Sequence, residues 1–518
     1  MGEFVFISAT VILCILILSW VWRMLYLIWW RPMKLERYLK EQGIKGPPYK
    51  LLVGNLKDES RLRKEALSKP MNLSHNIAPR VAPFVLQTIQ NYGKMSVSWS
   101  GRTPRIYITD PELIKDILLY KFGHFERSKP NPFARSLASG LVSYEGEKWV
   151  KHRRIINPAF HLDKLKRLLP VFSISCCDLI TRWEKLVPSE GSYEMDVWPE
   201  LKNLSGDIIS RAAFGSSYEE GRRIFQIQEE QASLIMQDAM SIHIPGLRFL
   251  PTKRNNRMKE MEREVRALLE GIISKREKAM RMGEACTNDL LGLLMEFNFK
   301  EIQEHGNLKN VGMSIDEVIG ECKLFYFAGR ETTSILLTWT MLVLSMHSEW
   351  QLRAREEVLQ VFGKNKPDFN ELNQLKIVTM ILYEVLRLYP PVFRISRWTY
   401  KKIKLGEIFL PPGVELSLPI ILLHHSIEFW GDDAQEFKPE RFAGGVSKAT
   451  KNQVTFFPFS WGPRICIGQN FALMVVKMAL AMILQRFSFE LSPTYCHAPC
   501  TVLTLQPQYG AQILLHKL

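Results

Sequence analysis

The sequence predicts a mainly α protein with small β-sheets, preceded by one N-terminal transmembrane helix. Three observations predict it. Apolar segments of helical length fill most of the chain, strand signals are short and few, and residues 4–22 carry no charge. At about 150 residues per domain, 518 residues allow three domains, but no long linker or internal repeat divides them. One large domain fits better. A chain with 46% hydrophobic and 23% charged residues is not mainly disordered. Sixty-eight Lys and Arg against 53 Asp and Glu give a charge of +15. That favours an acidic protein or an anionic membrane as partner; the basic residues are dispersed, and no nucleic-acid-binding motif accompanies them. Eight cysteines are too few for a disulfide scaffold. Cys496 and Cys500 beside His497 lack zinc-finger spacing, and Cys176 and Cys177 read as core.

The uncharged run spans roughly 28 Å as a helix, about one bilayer core. Arg23 can snorkel to the interface, and Trp20, Trp22, Trp29 and Trp30 suit an aromatic belt. A cleaved signal would begin with basic residues and end at small ones; this run begins with Glu3 and ends in tryptophans. Arg31, Lys34, Arg37, Lys40 and Lys45 follow the span, so the positive-inside rule places the body in the cytosol. The expected divisions are an anchor over 1–30, a basic and proline-rich hinge over 31–50, and the body over 51–518.

Met95–Trp99 and Pro104–Thr109 read as strands around a Gly101 turn, and Asp110-Pro111 starts a helix. The polar stretch 296–312 reads as a surface loop. Ser314 with Glu317 forms a capping box for a long helix reaching about Met346. Ser348 with Gln351 reads as the start of another, ending near Gly363, and a third stops at Pro390-Pro391.

Four constellations carry chemistry. In Phe459–Gly468, Cys466 precedes a helix N-terminus, where backbone N–H groups stabilise a thiolate, and Arg464 can pair with a cofactor carboxylate. Cys-x-Gly alone reads more simply as a buried cysteine. In Ala328–Thr333, Thr332 can bond back to Ala328, and Glu331 beside it can relay protons. The alternative is a helix with a threonine-rich buried face. Glu384 and Arg387 lie three apart, an arrangement that is usually an exposed salt bridge; leucines around this pair argue for burial, and Arg441 lies downstream. Trp149 and Arg153, four apart, form a common aromatic–cation pairing.

The full stretch Phe459–Gly468 resembles the haem-thiolate signature of the cytochrome P-450 family, and the other constellations match that family in order. The resemblance implies the cytochrome P-450 fold and haem b, with Cys466 as axial ligand to iron and Phe459 shielding the sulfur. It gives Glu331 and Thr332 the delivery of protons to dioxygen. It makes Glu384, Arg387 and Arg441 a structural triad, and puts Trp149, Arg153 and Arg397 at the haem propionates. Arg330 departs from the family's small or amide residue; it pairs with a carboxylate or faces solvent. Segments 157–161, 354–358 and 375–380 are similar to plant clan 72, in the subfamily of secologanin synthase and triterpenoid oxidases.

The implied activity is monooxygenation at the endoplasmic reticulum membrane, with NADPH electrons arriving through a reductase. The implied substrate is an apolar plant terpenoid, a triterpenoid or steroid ahead of an iridoid or gibberellin-type diterpenoid. A haem-thiolate isomerase or dehydratase using no dioxygen is disfavoured by Glu331-Thr332, and a silent haem carrier by the intact cysteine. Arg394 sits in a segment that lines the family's substrate pocket. It either faces solvent or another carboxylate, or anchors a polar end of the substrate.

Overall fold

The computed structural model describes residues 2–119, 124–127, 132–215, 218–239, 252–282, 289–305, 312–450 and 453–518. Helices dominate, and the longest, Ile315–Met346, runs through the main core with most of its side chains buried. Its start has the expected box: Ser314 accepts from the Glu317 N–H, and the Glu317 carboxylate accepts from the Ser314 N–H. Against it packs Val197–Phe214. Gly329 permits that approach, because a Cβ there would stand 2.7 Å from Ile209.

The largest sheet has five strands in the order Met95–Ser100, Thr103–Ile108, Glu415–Leu418, Ile395–Thr399, Phe125–Glu126. Only the contact of Thr103–Ile108 with Glu415–Leu418 is parallel. This sheet carries a second core that includes Leu39 and Ile44 from just beyond the N-terminal helix.

That helix, Gly2–Leu25, passes through a π-turn at Tyr26–Trp30 into Arg31–Glu41. It is the one described helix long and apolar enough to cross a membrane. The stretch expected as a hinge is helical to Glu41; Pro32 lies in the first turn, where no N–H is needed. Two further expectations are corrected. Residues 296–305 belong to the helix Leu290–His305, while 306–311 lie outside the described residues. The helix Ser348–Phe362 has His347 at its N-cap, with no side-chain cap from Ser348.

The charged triad is assembled and buried. Glu384 and Arg387 are both fully inaccessible. Arg387 Nε and Nη2 donate to the two Glu384 oxygens at 2.8 and 2.7 Å. Its remaining donors reach the carbonyls of His424, Ala434 and Glu436. Glu384 also accepts the Lys438 N–H at 2.9 Å, and Arg441 stands 3.5 Å from it while pairing with Asp433. Removing one member of such a group leaves a buried charge unmatched, at a cost of about 3–5 kcal/mol. Glu384→Gln should therefore lower the denaturant midpoint sharply and reduce recovery of folded protein; an unchanged midpoint would contradict a structural role.

Candidate active site

Cys466 sits where a tight loop meets a helix. Its N–H donates to the Phe459 carbonyl at 2.8 Å, and the Ile465 N–H to Gly462 at 3.0 Å. Gly462 has φ +72°, and a Cβ there would lie 2.6 Å from the Leu118 carbonyl oxygen, so only glycine fits. The helix Gln469–Leu484 follows, with Gly468 as its N-cap. Cys466 is exposed among the described residues, although the surrounding protein desolvates its thiol. Burial pushes its thiol up, against the Gly468 N–H, Arg153 and Arg127, which favour the thiolate. The expected stabilisation by the helix end is present but outweighed by desolvation. Phe459 is partly buried against the main core.

Around this cysteine four arginines converge from separate elements. Arg153 comes from the helix Gly146–Ile156, Arg464 from the cysteine loop, Arg397 from the strand Ile395–Thr399, and Arg127 from just after Phe125–Glu126. Arg153 donates to the Ile465 carbonyl at 3.1 Å. Arg464 pairs with Glu145 and lies 4.6 Å from the Trp149 ring centroid. The aromatic–cation partner of Trp149 is thus Arg464, whereas the helical spacing had suggested Arg153.

Arg397 is 3% exposed and donates to the Ser396 carbonyl at 3.0 Å. Arg127 donates to the Val142 carbonyl at 2.7 Å, and its buried Nε has no partner among the described residues. Burial first, then Arg127 and Arg464, push Arg397 down to about 9. Burial and Arg464 bring Arg127 down to about 10. Of the four, only Arg464 has an ion pair among the described residues.

In the central helix, Thr332 Oγ1 donates to the Ala328 carbonyl at 2.9 Å, as the sequence predicts. Ser205 donates to the Gly329 carbonyl at 3.1 Å. Glu331 is buried and accepts hydrogen bonds from Thr504 at 2.9 Å and from Gln506. Lys202 stands 4.0 Å from its other oxygen. Arg330 takes the carboxylate alternative, pairing with Glu229 at 2.9 Å and lying 4.6 Å from the Phe225 ring centroid. Lys202, Glu229, Arg330, Glu331 and Gln506 share the wall of a cavity of about 210 Å³.

Comparison with known proteins shows the family. The cytochrome P-450 family model matches residues 79–515. The chain belongs to the cytochrome P-450 family. It is 62% identical over 492 residues to cytochrome P-450 CYP72A616 of Paris polyphylla, covering 95% of each chain. It is 57% identical over 500 residues to cytochrome P-450 72A397 of Kalopanax septemlobus, covering 96% of each. The 7-deoxyloganic acid hydroxylase of Catharanthus roseus is 53% identical over 518 residues, covering 99% of this chain and 98% of that protein. This cytochrome P-450 is a haem-thiolate monooxygenase of the plant clan 72 type.

Haem fits the residues present. Its iron needs a thiolate, and a metal ion supplies the charge that ionises a desolvated thiol. Its two propionates match a partly buried arginine cluster that the carboxylates of the described residues leave under-neutralised.

The structure brings Trp149, Arg153, Arg397, Phe459, Arg464 and Cys466 into one proximal group, and Glu331 with Thr332 into the central helix. Arg394 is partly buried and lines a second cavity, and Glu415 is among the charges it influences. Sequence reasoning missed Arg127, which belongs to no motif, and Thr504 and Gln506, which meet Glu331 across more than 170 residues. Replacing Cys466 with Ala should abolish the thiolate-type absorbance of the reduced carbon monoxide complex. A variant that kept that spectrum would reassign the ligand.

Proposed function

We propose that this monooxygenase inserts one oxygen atom of dioxygen into a C–H bond of a plant terpenoid, with two electrons drawn from NADPH through a membrane-bound flavoprotein reductase. The single observation carrying this reading is the pairing of the Cys466 loop with the partly buried arginine cluster. Full-length similarity to cytochrome P-450s of the same clan, one of them named a hydroxylase, supports it. The relative named for hydroxylating 7-deoxyloganic acid favours the terpenoid class and gives an iridoid skeleton more weight than the sequence alone did. Triterpenoid and steroid skeletons remain within the proposal. The apolar N-terminal helix and the basic residues after it support a single-pass anchor in the endoplasmic reticulum, with the body in the cytosol. The charge of +15 suits docking to an acidic reductase face or an anionic membrane.

Haem, when bound, supplies dioxygen activation and the oxidising power; the protein holds, orients and protonates. In this reading the Cys466 loop presents the sulfur at a fixed position, and Phe459 shields it from water. Arg127, Arg153, Arg397 and Arg464 hold the propionates. Thr332, with its own proton committed to the Ala328 carbonyl, offers its oxygen to an incoming hydrogen bond. Glu331 is kept near by Thr504 and Gln506, and exchanges protons with the polar cavity that Lys202 and Glu229 line. Such a relay contributes typically 10²–10⁴-fold in rate. An isomerase or dehydratase that uses no dioxygen has no need of it.

The test is expression in microsomes with a plant reductase, followed by product analysis over a terpenoid panel. Dependence of product on both NADPH and dioxygen is expected; product formed without either would favour the isomerase reading. Within that assay, Thr332→Ala should bind haem normally but lose product per NADPH consumed, the difference appearing as peroxide or water. Unchanged coupling would remove Thr332 from proton delivery.

A further inference from the structure

Arg394 lies between the helix Lys376–Leu388 and the strand Ile395–Thr399. It lines a cavity of about 270 Å³ whose apolar wall includes Val81, Phe84, Met236, Val392 and Leu503. Three arginines face this space, and two are already engaged. Arg105 donates to Glu415 at 3.0 Å and stands 3.6 Å from Glu59. Arg63 donates to the hydroxyl and the carbonyl of Thr501. The second oxygen of Glu415 is occupied by Ser396 Oγ at 3.0 Å.

Arg394 has no hydrogen bond or ion pair among the described residues. Its guanidinium only lies 5.8 Å from the neighbouring Phe393 ring centroid. Three arginines therefore stand against two carboxylates, Glu59 and Glu415, which leaves one positive charge over. A partly buried guanidinium with its whole fork of donors unused, beside an apolar wall, suits a carboxylate attached to an apolar body. Arg397 of the arginine cluster is three residues further along, roughly 10 Å at strand rise. That distance is within the length of a terpenoid.

We infer that Arg394 is a specificity residue that binds the carboxylate of a terpenoid acid whose carbon skeleton occupies this cavity. The inference rests on the terpenoid reading above and deepens it: the preferred substrate carries an ionised acid, placed away from the carbon that is oxidised. A polycyclic body against the apolar wall supplies most of the contact area, and the bidentate pair with Arg394 fixes which end enters.

The test is calorimetric titration of the full-length holoenzyme in lipid nanodiscs, with no reductase or NADPH. The probes are 7-deoxyloganic acid and oleanolic acid, each against its methyl ester. For at least one pair the wild type should bind the acid ten- to a hundredfold tighter than the ester, as a charge-assisted hydrogen bond allows. Arg394→Leu should erase that ratio while leaving ester affinity within about twofold, and Arg394→Lys should retain part of it. The lysine variant carries the test if the leucine variant does not fold. Absence of any acid preference in the wild type, or equal weakening of acid and ester in the variants, would overturn the inference. Because binding is read without turnover, failure of NADPH-dependent oxidation would count against the monooxygenation proposal and leave this result standing.

Discussion

Four arginines around one cysteine, Arg397 buried and the other three partly buried, with a single ion pair to a carboxylate among the described residues, are the constraint to which the rest of the structure answers. Charges withdrawn from water cost several kcal/mol each unless they are paired, and four of one sign oppose one another as well. A fold does not bring a helix, a strand, a short edge strand and a loop to such a point by apolar packing alone. In the proposed reading, an anionic group carrying a metal beside Cys466 would neutralise the guanidiniums and ionise the thiol together. Folding and cofactor binding are then coupled: what binds the native state and not the unfolded chain stabilises it.

A second, fully internal charge system holds the first in place. Arg387, anchored to Glu384, binds the His424 carbonyl at 2.8 Å. The His424 ring accepts the Phe457 N–H at 3.3 Å, and two residues later the Phe459 carbonyl accepts the Cys466 N–H. A short chain of hydrogen bonds thus runs from the triad to the cysteine loop. Burial keeps His424 well below the ordinary imidazole range, so its ring stays neutral and able to accept. In the proposed reading the triad would act on chemistry through position, by holding the segment that presents the sulfur.

Legibility in the sequence followed the range of the interaction. Contacts made within one turn were readable, such as the Ser314–Glu317 box, the Thr332 back-bond and the Glu384–Arg387 pair. So was the cysteine loop, whose glycines and helix start are local features. Arg127 was not, because its role comes from a two-residue edge strand paired with Trp398 and Thr399, far along the chain. Thr504 and Gln506 were equally hidden, since a hairpin at the C-terminus delivers them to Glu331. The stretch 296–305 was misread because Lys300, Glu301, Gln303 and Glu304 mask its helical character, which tertiary contacts such as Asn298 with Met313 support. In the basic segment after the anchor, Leu39 packs in the sheet's core and holds that end of the helix against the body, a long-range contact that composition does not show.

The account stands on the charge balance between the arginine cluster and the propionates. The most direct measurement is the affinity of haem-depleted protein for haem and for haem dimethyl ester, which keeps the iron and ring but loses both negative charges. The ester is predicted to bind at least a hundredfold more weakly, with Arg397→Leu weakening haem but leaving the ester nearly unchanged. Equal affinities for the two would contradict the claim that this structure is organised around an anionic cofactor.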